Sequence, residues 1–229
     1  DQLSAYNVGT ILDYSVEGKG EEGDFNLTVM EIKRTIDAAA SNENIPFSVF
    51  KITGLGSYSV LKAANDGIEN LQASKKDEYD KLISRVNDIC GYAHDLDVPV
   101  FIDAEDSWFQ GTIDKITEDM IKKYNQRKVI VYTTIQFYRW DRLDYLKNLI
   151  KEAQQKKYML GVKLVRGAYM EKERARAQEM GYKDPIHVSK ENTDKDYDFA
   201  LKYCIDNIEC MHICAGTHNE KSTKYLVDL

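Results

Sequence analysis

The chain alternates short runs of apolar and β-branched residues with longer amphipathic stretches. Six runs are predicted as strands, at 10–16, 47–53, 98–104, 128–135, 160–165 and 210–215. Helices are predicted at 28–40, 77–96, 112–126, 140–156, 169–180, 194–207 and 220–227. This alternation is typical of successive βα units that form a parallel sheet. A length of 229 residues suits one barrel of this kind, so residues 1–229 are interpreted as a single α/β domain.

The net charge and the hydropathy of the chain indicate which kinds of binding partner and cellular environment to expect. The formal net charge of -7 argues against a nucleic-acid partner, because phosphate backbones require a basic surface. No apolar run approaches the roughly 20 residues that span a bilayer, and the N-terminus lacks the regions of a signal peptide, although a presequence could have been removed. The cysteines lie in helix-like or strand-like runs and are interpreted as reduced thiols in an intracellular compartment. The acidic, glycine-containing stretch 17–24 resembles a linker but is too short to divide domains.

Polar side chains follow the apolar strands at their carboxyl ends. These residues are Lys51, Asp103, Gln136, Lys163 with Arg166, and the run Thr217, His218 and Asn219. Parallel barrels place their catalytic and ligand-binding residues at this end of the strands. Each group belongs to a different βα unit, so the groups can converge only if the sheet curls.

The segment 161–171 is the most informative stretch. Lys163 lies within an apolar strand, and a buried cation persists only with an anion or a dipole opposite it. Arg166 follows, and then Gly167 and Ala168 allow a ligand to approach the backbone amides that open the next helix, where anions bind readily. The segment is therefore interpreted as a strand, a ligand contact and a phosphate cradle in succession.

The run 163–169 resembles the central motif of the proline dehydrogenase family of flavoenzymes. Segments similar to the family's other barrel strands occur in the expected order at 12–18, 50–53, 102–105, 135–138 and 216–219. Segment 181–186 resembles the single-function branch found in mitochondria and some bacteria. The resemblance implies a distorted (β/α)8 TIM-like barrel, of which this chain carries about the first six strands.

The resemblance also implies a reaction and its partners. Members of the family bind FAD and oxidise L-proline to pyrroline-5-carboxylate by hydride transfer to the flavin, the first step of proline catabolism. The electrons pass to a quinone. This implies peripheral contact with a membrane, at the cytoplasmic face of a bacterial membrane or at the matrix side of the mitochondrial inner membrane.

Site roles follow from the resemblance residue by residue. Lys163 would lie against the isoalloxazine, where another branch of the family has arginine, and the two cations are not interchangeable. Gln136 would hydrogen-bond the flavin ring. Arg166 with the backbone of Gly167 and Ala168 would hold the pyrophosphate, and Val165 would also contact the cofactor. The adenosine side would be lined by Thr217, His218 and Asn219. The residues expected to act on the substrate are Lys163, Lys51 with Asp103 facing the proline carboxylate, and Tyr169 in the pocket wall.

The resemblance further implies elements that this sequence does not contain. In the family, two more strands and an eighth helix with paired arginines and a glutamate complete the barrel and grip the substrate. Six parallel strands alone would leave unpaired edges, which native proteins avoid. A truncated or cleaved chain is therefore expected, with the C-terminal remainder of the same protein as its partner.

Other interpretations of the same residues stay open. Lys163 could be the Schiff-base lysine of a phosphate-binding barrel aldolase or lyase, or it could only pair with a core carboxylate. The chain could also be an inactive barrel fragment that binds its own remainder. Asp103 could be a general base, but a carboxylate beside a lysine is more often an ion pair. His218 could cap the following helix and not bind a ligand.

Two further sequence patterns argue against a metal site and against a glycine-rich nucleotide-binding loop. Cys210, His212 and Cys214 alternate as residues on one strand face do, but without a fourth ligand nearby they are predicted to be inert core residues and no metal site is expected. No Rossmann or Walker glycine pattern is present, so a dinucleotide would have to be held by barrel loops.

Overall fold

A computed structural model describes residues 3–14 and 22–229. The chain forms two compact units, Asp1–Tyr132 and Thr133–Leu229, and the fourth strand runs across the boundary between them. None of the helices within the described ranges is both long enough and apolar enough to cross a membrane.

The first unit contains three complete strands and the start of a fourth. The strands are β1 (Ile11–Asp13), β2 (Phe47–Phe50), β3 (Val100–Ile102) and the first residues of β4 (Val131–Gln136). The helices are α1 (Glu22–Ala40), α2 (Tyr58–Asn65), α3 (Ala73–Asp95) and α4 (Ser107–Tyr124). The strands lie in chain order, and β1–β2 and β2–β3 are parallel pairs. The backbone N–H of Val100 donates to the carbonyl of Ile130, 2.7 Å away, which joins β3 to the chain that enters β4.

The second unit continues the same alternation. It contains the rest of β4, β5 (Leu160–Val165) and β6 (Met211–Gly216), with the helices α5 (Arg142–Lys156), α6 (Met170–Met180), α7 (Lys190–Ile205) and α8 (Glu220–Asp228). The strand order is again the chain order. Strands β5 and β6 are parallel along their whole length, from Leu160 opposite Met211 to Val165 opposite Gly216.

Local sequence signals set several helix ends. The side chain of Ser57 accepts a hydrogen bond from the backbone N–H of Val60 and caps α2, and Ser189 caps α7 in the same way through Asn192. Helix α6 ends at Gly181, whose φ of 71° is the left-handed conformation that glycine adopts without strain.

Each unit has its own apolar core between helices and strands. In the first unit, Ile32 and Ile36 of α1 and Leu82 and Ile89 of α3 are fully buried at the helical spacing expected of core-facing residues. In the second unit, the fully buried residues include Leu160, Val162 and Leu164 of β5 and Tyr197, Ala200 and Leu201 of α7. One face of β5 is therefore committed to packing against helices, and its other face is available for a site.

The six predicted strands are confirmed, with differences at their ends. Strand β3 is shorter than the predicted range 98–104 and begins after Pro99, which has no N–H for the ladder. The predicted residues 15 and 16 of the first strand lie outside the described residues. Helix α1 starts at Glu22, so the prediction of a linker is wrong for residues 22–24, and residues 17–21 lie outside the described ranges. Helix α2 was not predicted.

Candidate active site

In the first unit, Lys51 and Asp103 lie side by side at the carboxyl ends of β2 and β3. Phe50 is opposite Ile102 in the parallel ladder, and each of the two polar residues follows directly. The backbone N–H of Asp103 donates to the carbonyl of Phe50, 3.0 Å away, which extends the pairing beyond the strands. Both side chains are half-buried. The first unit thus places a cation and an anion together at a strand end.

Behind this pair lies a buried carboxylate that the sequence analysis did not single out. Glu105 is 3% exposed, and its Oε1 accepts a hydrogen bond from the backbone N–H of Thr53 at 3.1 Å. Its Oε2 accepts a hydrogen bond from the hydroxyl of the same threonine. The backbone N–H of Glu105 donates to Oε1 of Gln110, 2.7 Å away. The only sequence signal was the acidic run 103–106 directly after a buried strand.

In the second unit, Lys163 lies on the less covered face of β5. It is opposite Cys214 of β6 in the ladder and shares its face with Gly161 and Val165. The three residues of the opposite face, Leu160, Val162 and Leu164, are fully buried. Lys163 is half-buried. A lysine in this position is accessible to a ligand that lies over the strand.

Arg166 follows β5 and makes polar contacts with three side chains. Its Nε donates to Oδ1 of Asp194 at 2.6 Å, Nη1 to Oγ1 of Thr217 at 2.8 Å and Nη2 to Oγ of Ser222 at 2.9 Å. Its guanidinium carbon lies 4.2 Å from the centre of the Tyr197 ring, a cation–π contact. A guanidinium has five N–H donors. These three bonds leave two donors for a ligand.

Two of the partners of Arg166, Asp194 and Ser222, are themselves anchored. Burial alone would raise the pKa of Asp194, but hydrogen bonds from Lys190 and Arg166 outweigh that effect and lower it. The hydroxyl of Ser222, 1% exposed, donates to Oδ1 of Asp198 at 2.5 Å. The cluster therefore holds Arg166 in one orientation beside the ends of β5 and β6.

The structure shows a further requirement for glycine at position 167. Its φ is +130°, a conformation that disfavours any other residue, and a Cβ built there would lie 2.5 Å from the ring of Tyr138. The backbone N–H of Tyr138 donates to the carbonyl of Arg166 at 2.6 Å. Glycine is required here by the close approach of Tyr138, a constraint that was not predicted. Gly167 and Ala168 are both exposed, so their backbone is also accessible to a ligand.

The first turn of α6 carries acidic side chains, which a helix N-terminus that binds an anion would not be expected to have. Tyr169, half-buried, is the residue before the helix, and the Nζ of Lys172 lies 5.7 Å from the centre of its ring. The first turn carries Glu171 and the fully buried Glu173. These carboxylates partly compensate the positive end of the helix dipole. The positive charge available to an anion here therefore comes chiefly from Arg166.

The residues after β6 have distinct roles. Asn219 is the N-cap of α8, and its Oδ1 accepts hydrogen bonds from the backbone N–H groups of Lys221 and Ser222 at 3.0 and 3.2 Å. The alternative that His218 caps the helix is therefore wrong, and His218 is exposed. The Oγ1 of Thr217 accepts a hydrogen bond from the backbone N–H of Asn219 at 3.0 Å.

Gln136, the predicted flavin contact, is the last residue of β4 and is 3% exposed.

The alternating Cys210, His212 and Cys214 do not form the predicted core face. Cys210 belongs to the 3-10 turn Ile208–Cys210 that precedes β6, and His212 is exposed. Among the described residues, no group of three or more His, Cys, Asp and Glu side chains is arranged to hold a metal ion. Cys90 and Cys204 are buried free thiols, and burial raises the pKa of both, to about 12 for Cys204.

Comparison with known proteins decides the family. The family model for proline dehydrogenase matches residues 1–229. The chain belongs to the proline dehydrogenase family. The matched range contains Lys51, Asp103, the segment around Lys163 and the run 217–219.

Individual relatives in and around the proline dehydrogenase family are longer than this chain. The chain is 29% identical over 220 residues to the carbapenem antibiotics biosynthesis protein CarD of Pectobacterium carotovorum subsp. carotovorum, covering 96% of this chain and 57% of that protein. It is 34% identical over 170 residues to the mitochondrial proline dehydrogenase 1 of Drosophila melanogaster, covering 70% of this chain and 25% of that protein. The chain thus spans just over half of the first relative and a quarter of the second.

Solved structures share the proline dehydrogenase fold with this chain. Proline utilization A (PutA) from Bdellovibrio bacteriovorus, inactivated by N-propargylglycine, aligns with a TM-score of 0.82 at 20% identity, covering 99% of this chain and 24% of that chain. PutA of Bradyrhizobium japonicum aligns with a TM-score of 0.80 at 18% identity, covering 97% and 23%. The predicted fold class, a distorted (β/α)8 TIM-like barrel represented by its first six strands, is confirmed.

Proposed function

We propose that this protein oxidises L-proline to pyrroline-5-carboxylate by hydride transfer to FAD, with a quinone as the final electron acceptor. The observation that carries the proposal is the match of the proline dehydrogenase family model along residues 1–229. The same match gives no support to the barrel aldolase alternative, in which Lys163 would form a Schiff base.

The donors at the ends of β5 and β6 fit the dinucleotide. Arg166 retains two N–H donors and a positive charge suited to a diphosphate, and the exposed backbone after β5 lets a ligand approach. We assign the pyrophosphate to Arg166 with the backbone of Gly167 and Ala168, and a further cofactor contact to Val165. The flavin ring is assigned to Gln136 and Lys163, and the adenosine side to Thr217, His218 and Asn219. FAD, when bound, supplies the acceptor for the hydride.

Lys163 supplies electrostatic stabilisation in this proposal. A hydride that leaves the carbon beside the proline nitrogen carries two electrons, so negative charge develops at the acceptor while an iminium forms on the substrate. A fixed ammonium near the acceptor lowers the energy of that charge separation in a site that excludes water. The half-buried position of Lys163 on the accessible face of β5 is compatible with this role.

Lys51 and Asp103 act on the substrate in this proposal. Proline carries a carboxylate, and Lys51 at the end of β2 provides a cation for a charge-assisted hydrogen bond. Asp103, one strand away, orients the lysine by its charge. Tyr169 forms part of the pocket wall. The proposed electron acceptor is a quinone. The protein would reach it through peripheral contact with a bacterial or mitochondrial membrane.

Spectroscopy on the purified intact protein tests the proposal. We expect flavin absorbance that is bleached when L-proline is added without oxygen and restored by a soluble quinone. Protein that carries FAD but is not reduced by proline would contradict the assigned substrate. Trapping of a lysine adduct by borohydride, with no flavin in the preparation, would support the aldolase alternative instead.

A further inference from the structure

Two sets of hydrogen bonds enclose Lys51 and Asp103 in a closed ring. On one side, the backbone N–H of Asp103 donates to the carbonyl of Phe50, the residue before Lys51. On the other side, the carboxylate of Glu105 binds both the backbone N–H and the hydroxyl of Thr53. The ring consists of residues 50–53 and 103–105, joined at each end by these hydrogen bonds. Lys51 and Asp103 are therefore both part of the ring.

The two hydrogen bonds between Thr53 and the Glu105 carboxylate are buried, so water cannot readily replace either partner. Thr53 is 1% exposed and Glu105 is 3% exposed. A buried carboxylate is costly unless donors satisfy its oxygens, and Thr53 offers two donors in one residue. Loss of either donor or acceptor would leave a buried polar group without its partner. This carboxylate therefore ties the turn that follows Lys51, Ile52–Gly54, to the chain after β3.

Helix α4 holds the backbone of Glu105 through Gln110. Gln110 accepts the backbone N–H of Glu105 at 2.7 Å, and its Nε2 donates to Oδ1 of Asp114 at 2.8 Å. Gln110 and Asp114 are 2% and 5% exposed. They lie one helical turn apart on α4, so the position of Glu105 is tied to a rigid element.

From this geometry we propose that Glu105 is a positioning residue that sets the placement of Lys51 relative to Asp103, and thereby the affinity for the substrate carboxylate. The inference rests on the proposed function, because Lys51 is taken to bind that carboxylate. Lys51 and Asp103 lie at the strand ends, where they are half-buried, whereas Glu105 is buried. Glu105 therefore affects the substrate only through the positions of Lys51 and Asp103. Its effect is on binding, which is equally strong in the ground state and the transition state, so KM changes and kcat does not.

Four substitutions in the intact protein test the inference. Glu105→Gln replaces one acceptor by a donor, and Thr53→Val removes the hydroxyl. Thr53→Ser keeps both donors and is the conservative rescue. The matched control is Thr117→Val, because Thr117 is also 1% exposed and its hydroxyl donates to the carbonyl of Ile113 at 2.8 Å within α4, outside the ring.

The measurements are the KM and kcat for L-proline and the dissociation constant of cyclopentanecarboxylate, followed by flavin absorbance. We expect Glu105→Gln and Thr53→Val to raise KM and the dissociation constant about tenfold, with kcat and flavin content within twofold of the wild type. Thr53→Ser and Thr117→Val should match the wild type. Unchanged constants in Glu105→Gln, or an equal rise in Thr117→Val, would overturn the positioning role while the proposed function stands. A wild-type protein that neither binds the acid nor oxidises proline would overturn the proposed function and this inference with it.

Discussion

The guanidinium of Arg166 donates a hydrogen bond from Nη1 to Oγ1 of Thr217, 2.8 Å away. The bond joins the chain after β5 to the chain after β6, two segments that the family resemblance assigns to the same cofactor. Ser222, in the first turn of α8, and Asp194, in α7, bind the other edges of the guanidinium. The arginine thus orders the strand ends and presents its remaining donors from a fixed position.

Arg166→Lys separates the geometry of this residue from its charge. An ammonium keeps the charge but cannot reach three partners with the fixed fork of a guanidinium. We expect the free energy of unfolding to fall by about 2 kcal/mol, the usual scale for hydrogen bonds to charged groups, and FAD to be retained about tenfold less tightly. Urea unfolding and FAD titration measure the two effects. Arg34→Lys, at an arginine that is 67% exposed, is the control and should change neither.

Gly167→Ala tests the close approach of Tyr138. The added Cβ would lie 2.5 Å from the Tyr138 ring, in addition to the strain of a positive φ. We expect a loss of about 3 kcal/mol in the free energy of unfolding, measured in urea. Gly181→Ala is the matched control, since it also has a positive φ but nothing lies within 4 Å of the added Cβ. Its cost should be about 1 kcal/mol, from backbone strain alone. Equal costs would show that the ring moves aside freely.

The strands were predictable because each is an apolar run between polar or turn residues. Strand β5 was predicted to the residue, since Lys157 and the residues that follow Val165 bound it clearly. Helix α2 was missed because Gly54, Gly56 and Gly67 flank it and made the stretch resemble a loop. Its signal was the Ser57 cap followed by Val60, Leu61 and Ala64 at helical spacing, all of which are buried.

The site was less predictable than the fold, because polar contacts depend on tertiary distances. Residues at strand ends, such as Lys51 and Asp103, follow from strand position alone. Glu105 could not be assigned to Thr53, which is 52 residues away in the chain, before the ladder between β2 and β3 was known. The contact between Gly167 and Tyr138 is of the same kind, since a glycine signals backbone freedom and not the ring that requires it.

Lys163→Met in the intact protein tests the electrostatic role. Methionine keeps the length and packing of the side chain without its charge. We expect flavin reduction by proline to slow about 100-fold, the scale on which one preorganised electrostatic partner acts, while the flavin content changes little. Stopped-flow absorbance gives the reduction rate. Lys202→Met, at a lysine on α7 that is 53% exposed, is the control. An unchanged rate at full flavin content would remove Lys163 from the mechanism.

Lys51→Ala tests recognition of the carboxylate. Loss of a charge-assisted hydrogen bond should raise the proline concentration for half-saturation and weaken the binding of cyclic carboxylic acids by about 1.5 to 3 kcal/mol. Titration of such an acid against flavin absorbance measures the affinity. Lys62→Ala, at an exposed lysine in the last turn of α2, should bind the acid as the wild type does. An affinity unaltered by Lys51→Ala would assign Lys51 to structure.

The last prediction concerns stability at low pH and rests on Asp141, before α5. Arg139 binds it through two hydrogen bonds, Nε to Oδ1 at 3.0 Å and Nη2 to Oδ2 at 2.7 Å, and Arg142 lies 3.3 Å from the same oxygen. Burial alone would raise the pKa of Asp141, but these hydrogen bonds and the two positive charges outweigh it and lower the pKa. Arg139 is only 7% exposed, so water cannot readily replace the carboxylate.

A carboxyl whose pKa is lower in the folded state stabilises the protein above its unfolded pKa, about 3.9, and that contribution is lost as the pH falls through the folded value. We therefore expect Asp141→Asn to lower the free energy of unfolding by about 2 to 3 kcal/mol at pH 7, and the difference from the wild type to shrink below about pH 4. Urea unfolding from pH 3 to pH 7 measures both. Asp144→Asn, at a carboxylate that is 85% exposed, is the control and should cost under about 0.5 kcal/mol at every pH. A constant difference between Asp141→Asn and the wild type across this range would show that the carboxylate contributes through packing and not through its charge.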